Sequence, residues 1–298
     1  MAEQEAEDRE KQLKAGAIAK QVLDFARTVV KPGESVLEAA EAIEAKIKEL
    51  GAQPAFPTGL ARNEWAAHCT PSRDSLEVFS DRDLVKVDVG THIDGMIADT
   101  AITLDFSGAH AALCKASQDA LDAAIKAMVP GAELGAIGKV IEDTIRAAGF
   151  RPIENLTGHE LAPGLVHSGV SVPNIGCTMP QKLQVGEVFA IEPFATTGAG
   201  LVIEAPEVNI YSLIGVKPVR MAASRNILEH ILNEYQMLPF TERWLPVQGL
   251  SMRTALKELE RAEVIRTYPA LREKANGMVA QFEHTVIIEE SGARVITA

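Results

Sequence analysis

A pattern of residues recurs 98 positions along the chain, and it limits what the chain can fold into. Pro32-Gly33 returns as Pro130-Gly131, Ile43 and Ile47 as Ile141 and Ile145, Gly51 as Gly149, and Pro54 as Pro152. One step out of register, Thr58-Gly59 returns as Thr157-Gly158. Farther on, the apolar run 84–89 is echoed at a shift of 104 by residues 188–193, which sets Asp88 against Glu192. Pro-Gly punctuation, an amphipathic helix and a Gly-x-x-Pro exit in constant register point to an internal duplication. One half covers about residues 1–110, the other 111–216 plus 277–298. Two similar halves facing each other create a cleft at their junction, a favoured place for a site.

Hydrophobic periodicity places a first helix over residues 5–30, stopped by Lys31-Pro32-Gly33. A second follows over 35–50, with Val36, Ala39, Ala40, Ile43 and Ile47 on its buried side and Gly51 just past its end. Beyond Glu204 the repeat lapses. Residues 217–276 hold helix-like stretches at 224–235 and 251–262 and then a break at Tyr268-Pro269, which reads as a helical insertion forming a lid or wall over the cleft. A final strand pair is expected at 278–289 and 293–297. The fold class is therefore α+β.

The most informative segment is Leu84-Val-Lys-Val-Asp88-Val-Gly90, Thr91-His-Ile-Asp-Gly95, Met96-Ile-Ala-Asp99-Thr. Asp94-Gly95 between two β-rich runs signals a two-residue hairpin turn. That register sets Gly90 opposite Asp99 and Ala101 opposite Asp88. Side chains alternate along a strand, so Asp88 and Asp99 become diagonal neighbours on one face, ~7–8 Å apart and able to converge at their tips. Gly90 is expected to leave the space between them open. Two carboxylates meeting among Val and Ile repel, because desolvation and like charge both oppose ionisation. A divalent cation is the economical resolution.

Three further polar residues interrupt apolar or loop settings: His159 after Thr157-Gly158, Glu192 after Val-Phe-Ala-Ile, and Glu283 within Gln281-Phe-Glu-His-Thr-Val286. Alternation puts Gln281, Glu283 and Thr285 on one face. A helical H-E-x-x-H zinc motif is excluded, because Pro163 stands where its second His would be. Asp88, Asp99, Glu192 and Glu283 together carry four negative charges, which two divalent ions and a neutral His159 would balance. An oxygen-rich set with one imidazole suits Mn, Fe, Co or Zn.

Composition narrows the surroundings. Over 298 residues, 47% hydrophobic and 23% charged is the balance of a globular chain. Cys69, Cys114 and Cys177 are scattered, with no C-x-x-C pair, which fits a reducing compartment better than a thiolate site. The net charge of -12 argues against a general nucleic-acid partner. A polar start and the lack of an ~18-residue apolar run argue against secretion or a membrane span, so a cytoplasmic location is expected.

In order and spacing, V-D-V-G, I-A-D-T, T-G-H, A-I-E-P-F and Q-F-E-H-T resemble the methionine aminopeptidases of the pita-bread metallopeptidase family. Ala66-Ala67-His68, Phe56-Pro57-Thr58-Gly59 and the insertion after Lys217 are similar to the type 2 class in its short, archaeal-like form. The resemblance implies a pseudo-two-fold repeat of helices on a curved antiparallel sheet, with a winged-helix-like insertion. It also implies a dinuclear site in which Asp88 chelates one metal, Asp99 and Glu283 bridge, and His159 and Glu192 bind the other. His68 and His167 match the family's two non-ligand site histidines, giving His68, His167 and Glu192 catalytic roles. Phe56, Ile210 and Tyr268 fall where the family lines its methionine pocket, with His68 and His167 also contacting substrate. Cys69 is a departure, since an aromatic usually follows this His, and it bears on the shape of the pocket. The implied substrates are N-termini of nascent polypeptides near the ribosome, with a small second residue preferred, and the implied state is a monomer. The rivals are an Xaa-Pro-type peptidase of the same fold, expected to carry a large extra N-terminal domain, and a metal-free binding protein on this scaffold, expected to lack ligands. Gly198-Ala-Gly200 reads as a turn rather than a nucleotide loop.

Overall fold

The computed structural model describes residues 2–298. The chain opens with helix α1 (Ala2–Val29), which buries Ile18, Val22, Leu23 and Ala26, and α2 (Val36–Glu49). The Ser35 hydroxyl accepts from the Glu38 N–H at the start of α2, satisfying one of the amides the first turn leaves free. At the other end Leu50 caps the helix and Gly51 takes φ 87°, a left-handed conformation that lets the chain turn out. Short strands β1 (Gln53–Pro54), β2 (Gly59–Arg62) and β3 (Trp65–Ala67) lead to the long hairpin β4 (Leu84–Ile93) and β5 (Met96–Asp105).

The second half runs through α3 (Ala111–Ala127), α4 (Leu134–Ala147), β6 (Arg151–Pro152), β7 (Thr157–Glu160), β8 (Ser171–Pro173), β9 (Val188–Ile191) and β10 (Phe194–Thr196). Helix α4 ends as α2 does, with Ala148 as its cap and Gly149 at φ 85°. Strand β2 lies against β4, with Gly59 opposite Asp88, and β7 lies against β9, with His159 opposite Ala190. Each half has its own core. One packs α1 and α2 on the hairpin around Ile43, Ile47 and Val87, the other packs α3 and α4 around Leu134, Ile141 and Phe189. Truncating a fully buried residue such as Ile43 or Ile141 to Ala is worth ~2–5 kcal/mol in such a core.

Strand β11 (Val202–Leu213) then carries the chain into α5 (Ala222–Glu234), β12 (Phe240–Thr241), a single 3₁₀ turn at Glu242–Trp244, and α6 (Gly249–Arg261), before β13 (Ile265–Glu273) returns antiparallel to β11. A separate apolar cluster, including Ile227, Ile231, Met252 and Leu259, holds α5 and α6 together. Tyr268-Pro269 is not a break: both residues lie inside β13, where the register against β11 shifts between Val208 and Ile210. A bulge accommodates a proline that cannot donate to the ladder.

The last strands are β14 (Val279–Gln281), β15 (His284–Glu289) and β16 (Gly292–Val295). The expected single strand at 278–289 is divided, because residues 279–281 pair with β10 while residues 284–287 pair with β9. The four sheets, ordered β1-β4-β2 with β5 beside β4, β14-β10-β6, β12-β11-β13-β3 and β16-β15-β9-β7-β8, are antiparallel throughout. This is the helix-flanked, curved antiparallel architecture of the pita-bread class. Threonines stitch the halves together. Thr100 Oγ1 donates to the Glu283 carbonyl, Thr103 Oγ1 to that of Gln281, and Thr285 Oγ1 to that of Asp99, all buried and at 2.6–2.7 Å.

Candidate metal centre

The hairpin forms in the expected register, Gly90 opposite Asp99 and Asp88 opposite Ala101. Its turn has Asp94 at φ 49° and Gly95 at φ 86°, the paired positive values that a two-residue primed turn requires. The space over Gly90 is not open, however. A Cβ there would lie 2.2 Å from the Phe56 ring, so the missing side chain seats an aromatic wall beside the two aspartates. Gly59, across from Asp88, leaves only enough room for the aspartate's own Cβ.

His159 comes from β7, Glu192 from the step between β9 and β10, and Glu283 from the step between β14 and β15. The β-bridge of Glu283 to Ala101 fixes it against the hairpin. His159 Nε2 stands 3.6 Å from both Asp99 Oδ2 and Glu192 Oε1. Those gaps are too long for hydrogen bonds. Donor atoms of Asp99, His159 and Glu283 lie within 4.8 Å of one another, and all three residues are buried. Asp88 and Glu192 are half-buried and face the same space. Buried oxygens of Asp88, Asp99 and Glu283 have no hydrogen-bond partner.

Burial pushes every one of these carboxyls upward, Asp88 to about 7 and Asp99, Glu192 and Glu283 well above the usual range. For the last three, the charges of neighbouring carboxylates add to the effect. His159 is driven well below its ordinary value by burial and then by His167. Partnerless oxygens, mutual repulsion and an imidazole held neutral are what a cation-binding set looks like before its charge is balanced. Four carboxylates and one imidazole fit divalent first-row ions, and no thiolate takes part.

All ten residues singled out from the sequence border one cavity of about 330 Å³: Phe56, His68, Asp88, Asp99, His159, His167, Glu192, Ile210, Tyr268 and Glu283. A larger opening, about 560 Å³, lies between α1 and the Pro163 turn and contains none of them. Ile210 and Tyr268 are cross-strand partners on β11 and β13, and the Tyr268 hydroxyl shares a 3.1 Å hydrogen bond with Ser212. His68 packs edge-on against Tyr268, and its Nδ1 donates to the Pro269 carbonyl at 3.2 Å, which leaves Nε2 as the acceptor of a neutral ring. It sits at φ 59°, in the left-handed region, which few non-glycine residues adopt but His enters more often than most. The His167 ring lies 4.2 Å from that of His159, and burial lowers its pKa to about 4, so it is a neutral donor near pH 7.

Cys69 does not line this cavity. Its thiol, pushed up to about 12 by burial, bonds to the Ala67 carbonyl and faces a separate cleft with Arg62 and Glu77. One participant was not assigned a role from sequence: Gln281 Nε2 donates to Glu192 Oε2 at 3.1 Å, and this bond holds the Glu192 carboxyl down against its burial. Its alternation with Glu283 was the available signal.

A model of metallopeptidase family M24 matches residues 10–290. The chain is 47% identical to a methionine aminopeptidase of Thermococcus onnurineus over 98% of this chain and 100% of that one. It is 48% identical to a methionine aminopeptidase of Pyrococcus horikoshii over 97% and 99%. Among solved structures it resembles that of a thermophilic Arx1 with a TM-score of 0.88, covering 97% of this chain and 90% of that one, at 18% identity, a likeness of fold alone.

Proposed function

The chain belongs to metallopeptidase family M24, and from that premise we propose that it removes N-terminal methionine from polypeptides as a dinuclear metallo-aminopeptidase. We assign Asp88, Asp99, His159, Glu192 and Glu283 to hold two divalent ions of the Mn, Fe, Co or Zn type. The observation that carries the assignment is the meeting of four buried or half-buried carboxylates, several with partnerless oxygens, beside an aromatic-walled cavity.

When bound, such ions supply Lewis acidity that acidifies water and polarises a carbonyl. The protein's own groups do the rest. Glu192, its carboxylate steadied by Gln281, takes the proton of the attacking water and delivers it to the leaving nitrogen. His167 donates to the carbonyl oxygen as negative charge develops there. His68, anchored through Nδ1, presents Nε2 to the scissile amide N–H or the residue that follows. Phe56, Ile210 and Tyr268 receive the methionine side chain, whose thioether packs favourably on aromatic rings. The confined cavity favours a small second residue.

We further read the catalytic unit as one duplicated domain, residues 1–110 and 111–216 plus 277–298, with 217–276 as an inserted subdomain. No helix among the described residues is long and apolar enough to cross a membrane. Cytoplasmic action as a monomer on nascent chains near the ribosome belongs to the same proposal. The test is to strip the protein with chelator, restore Mn, Co, Fe or Zn singly, and offer Met-Ala-Ser beside an Xaa-Pro peptide. Metal-dependent release of methionine, with Xaa-Pro left intact, is expected. Asp99→Asn and Glu283→Gln should abolish turnover and reduce bound metal, and full activity in either contradicts the ligand assignment.

A further inference from the structure

One buried ion pair lies outside the chemistry described so far. Glu44 is an acidic residue on the otherwise apolar inner face of α2, and Arg243 stands in the 3₁₀ turn after β12. Both side chains are almost wholly buried, at 7% and 3% exposure. They form a bidentate fork, Nη1 to Oε2 at 2.8 Å and Nη2 to Oε1 at 2.6 Å, and Trp244 Nε1 adds a third bond to Oε2 at 2.9 Å. Removing one partner of such a pair strands a charge, while its fork geometry fixes the relative placement of whatever it joins.

What it joins is three walls of the cavity. Glu44 Oε1 accepts from the backbone N–H of Thr58, two residues beyond Phe56. Arg243 donates through Nε to the Pro71 carbonyl and through Nη2 to Thr70 Oγ1, just after His68. Arg243 itself follows Thr241, which pairs with Ile210, and the preceding Pro239 also lines the cavity. Neither ionic partner touches the cavity.

We propose that Glu44 and Arg243 are positioning residues that set the width of the methionine pocket, holding the Phe56 wall, the His68 arm and the Ile210 wall at a fixed spacing. The inference rests on the aminopeptidase reading above. A loosened pocket holds methionine less well and distinguishes it less from a branched side chain of similar size, while metals and attacking groups stay in place.

The experiment compares Glu44→Gln, Arg243→Lys and Arg243→Met with the wild type in its metal-restored form. It records kcat and KM for Met-Ala-Ser and Leu-Ala-Ser, metal content and unfolding temperature. For the first two variants the expected result is a KM for the methionine peptide raised on the order of tenfold and a Met-to-Leu ratio of kcat/KM lowered on the order of tenfold. Their kcat and metal content should stay near wild type. Arg243→Lys, which keeps charge but loses the fork, should lie between wild type and Arg243→Met. Should Arg243→Met not fold, the two near-isosteric variants still decide the matter. Wild-type KM and wild-type Met-to-Leu ratio in both, even with a lowered unfolding temperature, overturn the proposal and leave the pair purely structural. Loss of metal with an unchanged ratio overturns it equally. Failure of the wild type itself to cleave Met-Ala-Ser instead removes the underlying aminopeptidase reading.

Discussion

Chelating the metals should make the protein's stability fall as pH rises, and replacing Glu283 by Gln should reverse that loss. Glu283 is 1% exposed, one of its oxygens has no partner, and burial followed by the charges of Asp99, Glu192 and Asp88 raises its pKa. A carboxyl raised in this way keeps its proton in the folded state at a pH where the unfolded chain has released it. The folded state then binds more protons, so unfolding free energy declines between the unfolded value near 4 and the folded value. Asp88 sets the scale. A shift from 3.8 to about 7 corresponds to about 4 kcal/mol at ~1.36 kcal/mol per pH unit, and since Asp88 borders the open cavity, solvent screening brings its share to ~2 kcal/mol. Gln at 283 is neutral at every pH, so it removes a group that must hold a proton to stay buried among the other three carboxyls, and its amide can donate to the partnerless oxygen of Asp99. In chelator at pH 8 the variant should therefore unfold at a temperature higher by roughly 4–8 °C. With metal in thousandfold excess over its dissociation constant the order inverts, because the wild type gains ~4 kcal/mol from binding that the variant loses. Thermal unfolding followed by circular dichroism at pH 5 and pH 8, with and without chelator, measures all four corners. A stripped wild type as stable at pH 8 as at pH 5, or a Gln variant weaker than wild type in chelator, refutes the reasoning.

His68→Ala should retain its metals while losing on the order of 10²-fold in kcat, the scale of one removed transition-state hydrogen bond; metal analysis beside steady-state kinetics checks it, and metal loss would make His68 a ligand. Gly90→Ala must displace the Phe56 ring, since the added Cβ would lie 2.2 Å from it, so a destabilisation of ~1–3 kcal/mol in denaturant titrations is expected together with a raised KM for methionine peptides. Wild-type stability and KM in the Gly90→Ala variant would show that the ring is free to move.

Much of this was legible in the sequence because the forces involved are local. The Asp94-Gly95 turn fixes the hairpin register, and a period of two then puts Asp88 and Asp99 on one face without reference to the rest of the chain. The same holds for the helix ends, where Gly51 and Gly149 supply the left-handed φ that stops α2 and α4. Tyr268-Pro269 misled, because a proline that breaks an isolated strand is tolerated at a bulge, and a bulge exists only against a partner strand.

Tertiary packing alone decided the rest. That Glu283 reaches the hairpin depends on threonine hydroxyls bonding backbone across the junction, between residues 183 and 186 positions apart. The pairing of β15 with β9 and of β9 with β7 brings Glu192 and His159 to the same place. That the void over Gly90 is filled by Phe56, and that Glu44 on an early helix finds Arg243 199 positions later, follows from packing and charge pairing at long range. Local preference carries no record of such partners. Residue types and spacing determined which side chains could do the chemistry. Burial, which removes water as the alternative partner, determined which of them had to meet.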